Sequence, residues 1–111
     1  MSAIDKRIFE ELKQMSGADF INELIDAFVD DAPNMISQIQ AALAAKDVES
    51  FRRNAHSLKS NANTFGALEL AALAKELEFM ARENNLEIGN RLEILQEEYD
   101  RVQEELKGMR V

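Results

Sequence analysis

The sequence predicts an all-α protein, an antiparallel up-down-up-down four-helix bundle with a short accessory N-terminal helix. The 111 residues are rich in Ala, Leu and Glu and contain a single Pro, a composition that favours helix. Apolar residues recur three and four positions apart in successive segments, which is the spacing of one buried helix face. Runs of β-branched residues and paired turn signals are nearly absent, which argues against a sheet. The length fits a single domain over residues 1–111.

The first two predicted helices differ in length. A short helix is predicted from Ile4 to Met15, before Ser16-Gly17, and it needs packing against the rest of the chain to be stable. A long helix is predicted from Asp19 to Lys46. Its predicted apolar stripe consists of Phe20, Leu24, Phe28, Met35, Ile39 and Leu43, with Ile21, Ile25 and Ala42 beside them.

Pro33 interrupts the long helix. It cannot donate a hydrogen bond to the carbonyl of Val29, so we expect a kink. The alternative is two helices that meet near Asp30 or Asp31, with Pro33 in the first turn of the second. The continuous helix is favoured because the apolar stripe keeps its phase. Val29 and Ile36 lie at the edge of the stripe, where they either complete the core or form an exposed apolar patch that a partner contacts.

A third helix is predicted between Asp47, a good N-cap, and Gly66, a good C-terminal stop. It carries His56, the only histidine of the chain. At about 100° per residue, His56 lies roughly 130° from the middle of the apolar stripe and therefore faces solvent or a partner. The stripe consists of Val48, Phe51, Ala55, Leu58, Ala62 and Phe65.

The face around His56 is predicted to be locally basic, although the whole chain has net charge −8. Glu49, two turns away, is the carboxylate expected on the same face. A neutral imidazole has a free lone pair, and cations beside it can offset the charge of a phosphoryl group. The chemistry that fits is phosphoryl acceptance on nitrogen. The helix neighbours of the histidine are Arg52, Arg53, Lys59, Ser60 and Asn63.

The last two helices are predicted from Ala67 to Asn84 and from Glu87 to Lys107. The fourth has a Leu- and Ala-rich core face, which Phe79 and Met80 widen so that they pack against the end of the bundle. The fifth repeats apolar residues at three- and four-residue spacing. The polar face of the fourth helix is expected to be solvated and contains Glu69, Lys75, Glu76, Glu78, Arg82 and Glu83.

The segment from Ala55 to Glu78 resembles the signature of the histidine-containing phosphotransfer (HPt) domain of bacterial-type phosphorelays. Each part of the signature is weak alone, and the combined spacing carries the resemblance. One departure is Ser60, where the family usually has Gly. Serine is small, so we expect docking of a partner to survive. The matching residues are Ala55, His56, Leu58 and Lys59, then Gly66-Ala67, and finally Leu77-Glu78.

The resemblance implies a phosphorelay intermediate. His56 would accept a phosphoryl group from the phosphoaspartate of one receiver domain, on the outer nitrogen Nε2, and pass it to an aspartate of another. Lys59 would be the cation on the phosphate side. A hybrid sensor histidine kinase and response-regulator receiver domains are the expected partners. The receiver would supply the metal ion, so this chain needs no cofactor of its own. Partner contacts are expected at Arg52, Ser60, Asn63, Val29 and Ile36.

Composition excludes several other classes. Because the chain has no cysteine and one histidine, disulfides, thiolate metal sites and multi-histidine metal sites within one chain are excluded, and we predict no metal site. The acidic balance argues against nucleic acid. No apolar run is long enough to cross a membrane, and the N-terminus lacks the pattern of a signal peptide, so we expect a cytoplasmic domain. We expect a monomer because one bundle can bury all the predicted apolar stripes. Without a nucleotide-binding glycine pattern, the chain is predicted to be a phosphocarrier and not an enzyme.

Two other functions are alternatives for a helical bundle of this kind. The main rival is a helical-bundle adaptor or oligomerisation module in which His56 has no chemical role. The other is a carboxylate-bridged metal bundle, which needs a Glu three residues before a histidine. The residue at that position is Arg53, so this function is disfavoured.

Overall fold

The computed structural model describes residues 2–111, and over that range the chain forms five α-helices and no strands. The all-α prediction is therefore confirmed for this part of the chain. Each observed helix overlaps the corresponding predicted segment. The helices are α1 (Lys6–Ser16), α2 (Ala18–Ala45), α3 (Val48–Phe65), α4 (Leu68–Arg82) and α5 (Arg91–Gly108).

Helix α3 occupies the middle of the fold and packs against α1, α2 and α4. Helix α5 contacts α4 and α2, which closes the core. Aromatic rings join three of the helices, because Phe28 of α2 lies 5.1 Å from Phe65 of α3 and 6.0 Å from Tyr99 of α5 between ring centroids. The result is that one face of α3 is covered and the opposite face is available to solvent.

The predicted ends of α3 are confirmed. The carboxylate of Asp47 accepts a hydrogen bond from the amide of Ser50 at 3.1 Å, which satisfies one of the free N–H groups of the first turn. Gly66 has φ +81°, a left-handed conformation that glycine adopts without steric cost. A Cβ at Gly66 would also lie 2.8 Å from the carbonyl oxygen of Asp5. The turn between α3 and α4 thus accommodates the close approach of the N-terminal segment only with glycine.

Helix α2 is continuous through Pro33, as predicted; the kink remains a prediction. Its predicted stripe was displaced around the helix. Phe20 is 50% exposed, and Leu24, Met35 and Leu43 are only partly buried. The physical reason is that three helices, α1, α3 and α5, contact α2 and select its inner face. The buried residues of α2 are Ile21, Ile25, Phe28, Ala32, Ile36, Ile39 and Ala42.

The burial of Ile36 contradicts its prediction as a partner contact. Its side chain is 2% exposed, so it belongs to the core and not to an exposed patch for a partner. Val29 is partly buried, and its carbonyl oxygen accepts a hydrogen bond from the Tyr99 hydroxyl at 3.3 Å. The apolar partner surface predicted on α2 is therefore wrong at Ile36, because α2 is enclosed by its neighbours on that side.

The predicted limits of α4 and α5 were also displaced. Helix α4 ends at Arg82, and α5 begins at Arg91 and not at Glu87. The connection between them contains Asn84 and Gly89, both with positive φ, which interrupts helical geometry. Phe79 was expected to pack against the end of the bundle, but its side chain is 61% exposed.

Candidate functional site

The site is built on the solvent face of α3. The side chains of its apolar stripe, from Phe51 to Phe65, lie in the core. His56 points the other way, and its side chain is 51% exposed. The predicted orientation of the histidine is therefore confirmed.

The histidine has a carboxylate partner that the sequence pattern does not predict. His56 Nδ1 lies 2.8 Å from Oε2 of Glu78 on α4. Glu78 was expected on a solvated face, and this was wrong because its side chain is only 3% exposed. The burial is possible because α3 and α4 pack closely, so that donors from α3 replace the water that the carboxylate loses.

Glu78 has two further partners. Lys59 Nζ lies 2.6 Å from its Oε1, and Arg82 Nη2 lies 3.0 Å from the Oε2 that His56 also contacts. Burial raises the pKa of the Glu78 carboxyl, but the hydrogen bonds and charges of Lys59 and His56 outweigh it, so the pKa is lowered overall. Glu78 is consequently an ionised carboxylate near neutral pH.

The ionised state of Glu78 determines which imidazole nitrogen is free. A carboxylate without a proton only accepts hydrogen bonds. His56 Nδ1 must therefore carry the proton and donate it to Glu78 Oε2. In a neutral imidazole the other nitrogen, Nε2, then holds an unprotonated lone pair. The arrangement gives His56 one nucleophilic nitrogen on the exposed part of its ring.

The other predicted site residues lie at different distances from this cluster. Lys59 is a member of it and is 22% exposed. Arg52 pairs with Glu49, with 2.5 Å between Nη2 and Oε1. Ser60 and Asn63 are exposed on the same helix as His56. Ile36 is buried on α2 and is not brought to the site.

The sequence pattern did not assign Glu78 and Arg82 to the site, although one feature of α4 indicates their role. Glu78 lies in a row of alanines that are buried in the structure, with Ala74 four residues before it and Ala81 three residues after it. A glutamate in such a row either disrupts the core or has a cation in reach. Arg82, four residues further along the helix, was such a cation.

The described part of the chain offers no alternative site of two common kinds. Among residues 2–111, no three His, Asp or Glu side chains are grouped closely enough to hold a metal ion. None of the helices in that range has the length and apolar character needed to span a membrane.

Fold and site together define a class: helical bundles that present a carboxylate-oriented imidazole on their surface. The Hpt domain family model matches residues 23–105. The crystal structure of histidine-containing phosphotransfer protein B (HptB) from Pseudomonas aeruginosa PAO1 is similar, with a TM-score of 0.88 and 31% sequence identity. The alignment covers 97% of this chain and 94% of that one. No curated protein matches the chain.

The chain belongs to the Hpt domain family. Its role is that of a histidine phosphotransfer intermediate in a phosphorelay. The family resemblance stated from the sequence is confirmed, and the comparisons support phosphotransfer over the adaptor function.

Proposed function

We propose that His56 is the phosphoacceptor. It takes the phosphoryl group from the phosphoaspartate of one receiver domain and passes it to the aspartate of another. The observation that carries this assignment is the 2.8 Å contact between His56 Nδ1 and Glu78 Oε2, which leaves Nε2 as the free nucleophile. His56 is also the only histidine in the sequence, so no other imidazole competes for the role.

The transfer proceeds by exchange of one bond for another. The lone pair of His56 Nε2 forms a bond to phosphorus as the bond between phosphorus and the aspartyl oxygen breaks, and the aspartate leaves as a carboxylate. The imidazole keeps its Nδ1 proton and gains positive charge as the new bond forms. Glu78, already in contact with that proton, offsets the charge without having to move. The second transfer is the reverse sequence with a different receiver.

Lys59 connects Glu78 to the phosphoryl group in this proposal. Its ammonium contacts Glu78 Oε1 at 2.6 Å and is partly exposed on the side of α3 that carries His56. An ammonium has three donors, so it can keep the Glu78 contact while donating to a phosphoryl oxygen. Arg52, Ser60 and Asn63 would contact the partner around the rim of the site, and Ser60 leaves room for the partner because its side chain is small.

The partner supplies the remaining chemistry. We infer that the receiver brings the metal ion and the acidic pocket that stabilise the transferred group, and that this chain binds no cofactor. A hybrid sensor histidine kinase would be the source of the phosphoryl group. The chain itself would be a phosphocarrier and not a stand-alone enzyme.

We also propose a single domain with antiparallel up-down-up-down topology for α2, α3, α4 and α5, and α1 as the accessory helix. The support is that each of these four helices packs against the next one in sequence, while α5 returns to contact α2. The two-residue links between α2 and α3 and between α3 and α4 also favour antiparallel neighbours. We propose that this domain is monomeric and acts in the cytoplasm.

The experiment that tests the function is transfer from a panel of phosphorylated receiver domains to the wild type and to His56→Gln. We expect acid-labile, base-stable label on the wild type and none on the variant. Thr64→Ala is the control, since it changes an exposed residue two turns further along α3 and keeps the imidazole. Label on His56→Gln would assign the phosphoacceptor to another residue. No label on a folded wild type, from receivers shown to be active, would contradict the function.

A further inference from the structure

A furrow runs between α3 and α4 at the level of His56. His56 and Lys59 lie on its α3 side, and Glu78 lies at its base. The opposite side is formed by exposed residues of α4 spaced four and three apart, namely Lys75, Phe79 and Arg82. We call these three residues the α4 wall. Together with Lys59 and Glu78 they line a shallow hollow beside the histidine.

Phe79 is exposed because of its position on the helix. At about 100° per residue it lies roughly 150° from the centre of the buried face of α4, so small shifts of the helix would not cover it. Four of the six phenylalanines, Phe9, Phe28, Phe51 and Phe65, are buried. An aromatic ring left in water beside a reactive group is typical of a contact surface for a partner.

The charge of the furrow differs from that of the chain. The hollow is lined by three cations and the carboxylate of Glu78, which gives its lining a formal charge of +2. The whole chain has a net charge of −8. Such a contrast selects a partner surface that is acidic where it meets the histidine. The three cations are Lys59, Lys75 and Arg82. The carboxylates of Glu76 and Glu83 lie on the opposite side of Phe79 around α4 and do not line the hollow.

Helix α2 does not present an exposed aromatic residue near His56. Ile36, the residue expected to provide an apolar partner contact on this helix, is buried. The other exposed phenylalanine, Phe20, lies far from His56. Phe28 of α2 packs against Phe65 of α3, so these two residues lie at the same level of the bundle. Phe20 precedes Phe28 by eight residues and His56 precedes Phe65 by nine. In antiparallel helices, these displacements run towards opposite ends. At 1.5 Å per residue the two are about 25 Å apart along the bundle.

From these observations we propose that the α4 wall is the docking surface for the receiver domain that exchanges its phosphoryl group with His56, with Phe79 as the apolar anchor. The proposal rests on the function proposed above and assigns the partner surface of that site. The receiver fits because its phosphorylated aspartate lies in an acidic pocket, which complements the basic furrow. An aromatic anchor with cations on the side that faces the hollow has the composition of an interface hot spot. Lys75 and Arg82 then align the acidic rim of the receiver over the histidine.

The test compares Phe79→Ala with Phe20→Ala, which removes the same side chain from a similarly exposed but remote position. The probe is the phosphorylated receiver domain that labels the wild type fastest. Transfer rates are measured over a range of receiver concentrations, so that the half-saturating concentration and the maximal rate are obtained separately. We expect Phe79→Ala to raise the half-saturating concentration about tenfold or more. The maximal rate should stay within about twofold, and Phe20→Ala should resemble the wild type.

A small phosphoryl donor separates docking from chemistry. Phosphoramidate needs no protein surface, so it should label the wild type and Phe79→Ala at the same rate. Circular dichroism and thermal unfolding confirm that both variants are folded.

Three results would overturn the proposal while leaving the function intact. They are an unchanged half-saturating concentration for Phe79→Ala, an increase for Phe20→Ala instead, and slower labelling of Phe79→Ala by phosphoramidate. A wild type that phosphoramidate labels but no receiver does would overturn the proposed function, and the docking surface with it.

Discussion

Two glutamates are buried in the described part of the chain, and they differ in the partners they have. Glu78 on α4 contacts His56, Lys59 and Arg82, and two of these come from a different helix. Glu98 on α5 pairs with Arg101 of its own helix, with 2.7 Å between Oε1 and Nη2. Both carboxylates are nearly inaccessible to water, at 3% and 5% exposure.

The difference separates a structural ion pair from a reactive one. The Glu98 pair is local, and its cation is three residues away on the same helix surface. Glu78 joins α3 to α4 and fixes the orientation of a nucleophile at the same time. Burial of a charge alone therefore does not identify a functional carboxylate. What identifies Glu78 is the reactive imidazole that it orients.

The largest effect should come from replacing Glu78, with Glu98 as the comparison. Glu78→Gln keeps the size of the side chain but loses the charge that offsets the imidazole during transfer. We expect the rate of phosphoryl transfer from a receiver to fall by at least about tenfold. Glu98→Gln is the matched control and should transfer at the wild-type rate. Equal rates for Glu78→Gln and Glu98→Gln would remove the distinction between the two sites.

Replacing the cations that pair with the two glutamates should also slow phosphoryl transfer at the Glu78 site only, and by a smaller factor. Lys59→Met removes one of three partners of Glu78 and the ammonium beside the phosphoryl group. We expect transfer to slow by about threefold to tenfold. Arg101→Met removes the cation that pairs with Glu98, so it should lower the free energy of unfolding in urea and leave transfer unchanged. Slower transfer in Arg101→Met would show that α5 contributes to the site.

The smallest expected effect is on the pH dependence of stability. The pKa of Glu78 is lowered in the folded state from its usual 4.5. The unfolded chain therefore binds the proton more readily, and the stabilisation is present above about pH 4.5 and is lost as pH falls through the lowered pKa. In urea unfolding, the stability difference between wild type and Glu78→Gln should be largest near neutral pH and shrink in acid.

A stability difference between wild type and Glu78→Gln that stays constant from pH 7 to pH 3 would contradict the ion-pair assignment. The comparison of the two proteins is needed because Glu49 and Glu105 also have lowered pKa values in the folded state. Their contributions are shared by both proteins and cancel in the difference.

The sequence predicted features that depend on one helix at a time. The caps Asp47 and Gly66, the exposure of His56 and the apolar stripe of α3 from Phe51 to Phe65 all follow from spacing along a single segment, and each is confirmed. The inner face of α2 was misplaced because α1, α3 and α5 determine it together. The same holds for Ile36, whose burial depends on neighbours that the spacing does not specify.

The same distinction applies to the candidate site: residues on one helix were predicted, and a contact between two helices was not. His56 and Lys59 were found because they share one helix and one motif. Glu78 was placed on the solvated face of α4, although its position in a row of buried alanines already argued for the core. Its contact with His56 depends on the packing of α3 against α4 across a separation of 22 residues, which the pattern of neither helix contains.

The central claim is that His56 Nδ1 carries a proton and donates it in a hydrogen bond to Glu78. This leaves Nε2 as the nucleophile. The most direct test is ¹⁵N NMR of the unphosphorylated protein labelled at histidine, which gives one pair of ring signals because the chain has one histidine. At a pH where the imidazole is neutral, we predict a protonated Nδ1 and an unprotonated Nε2. A protonated Nε2 in the wild type would contradict the account.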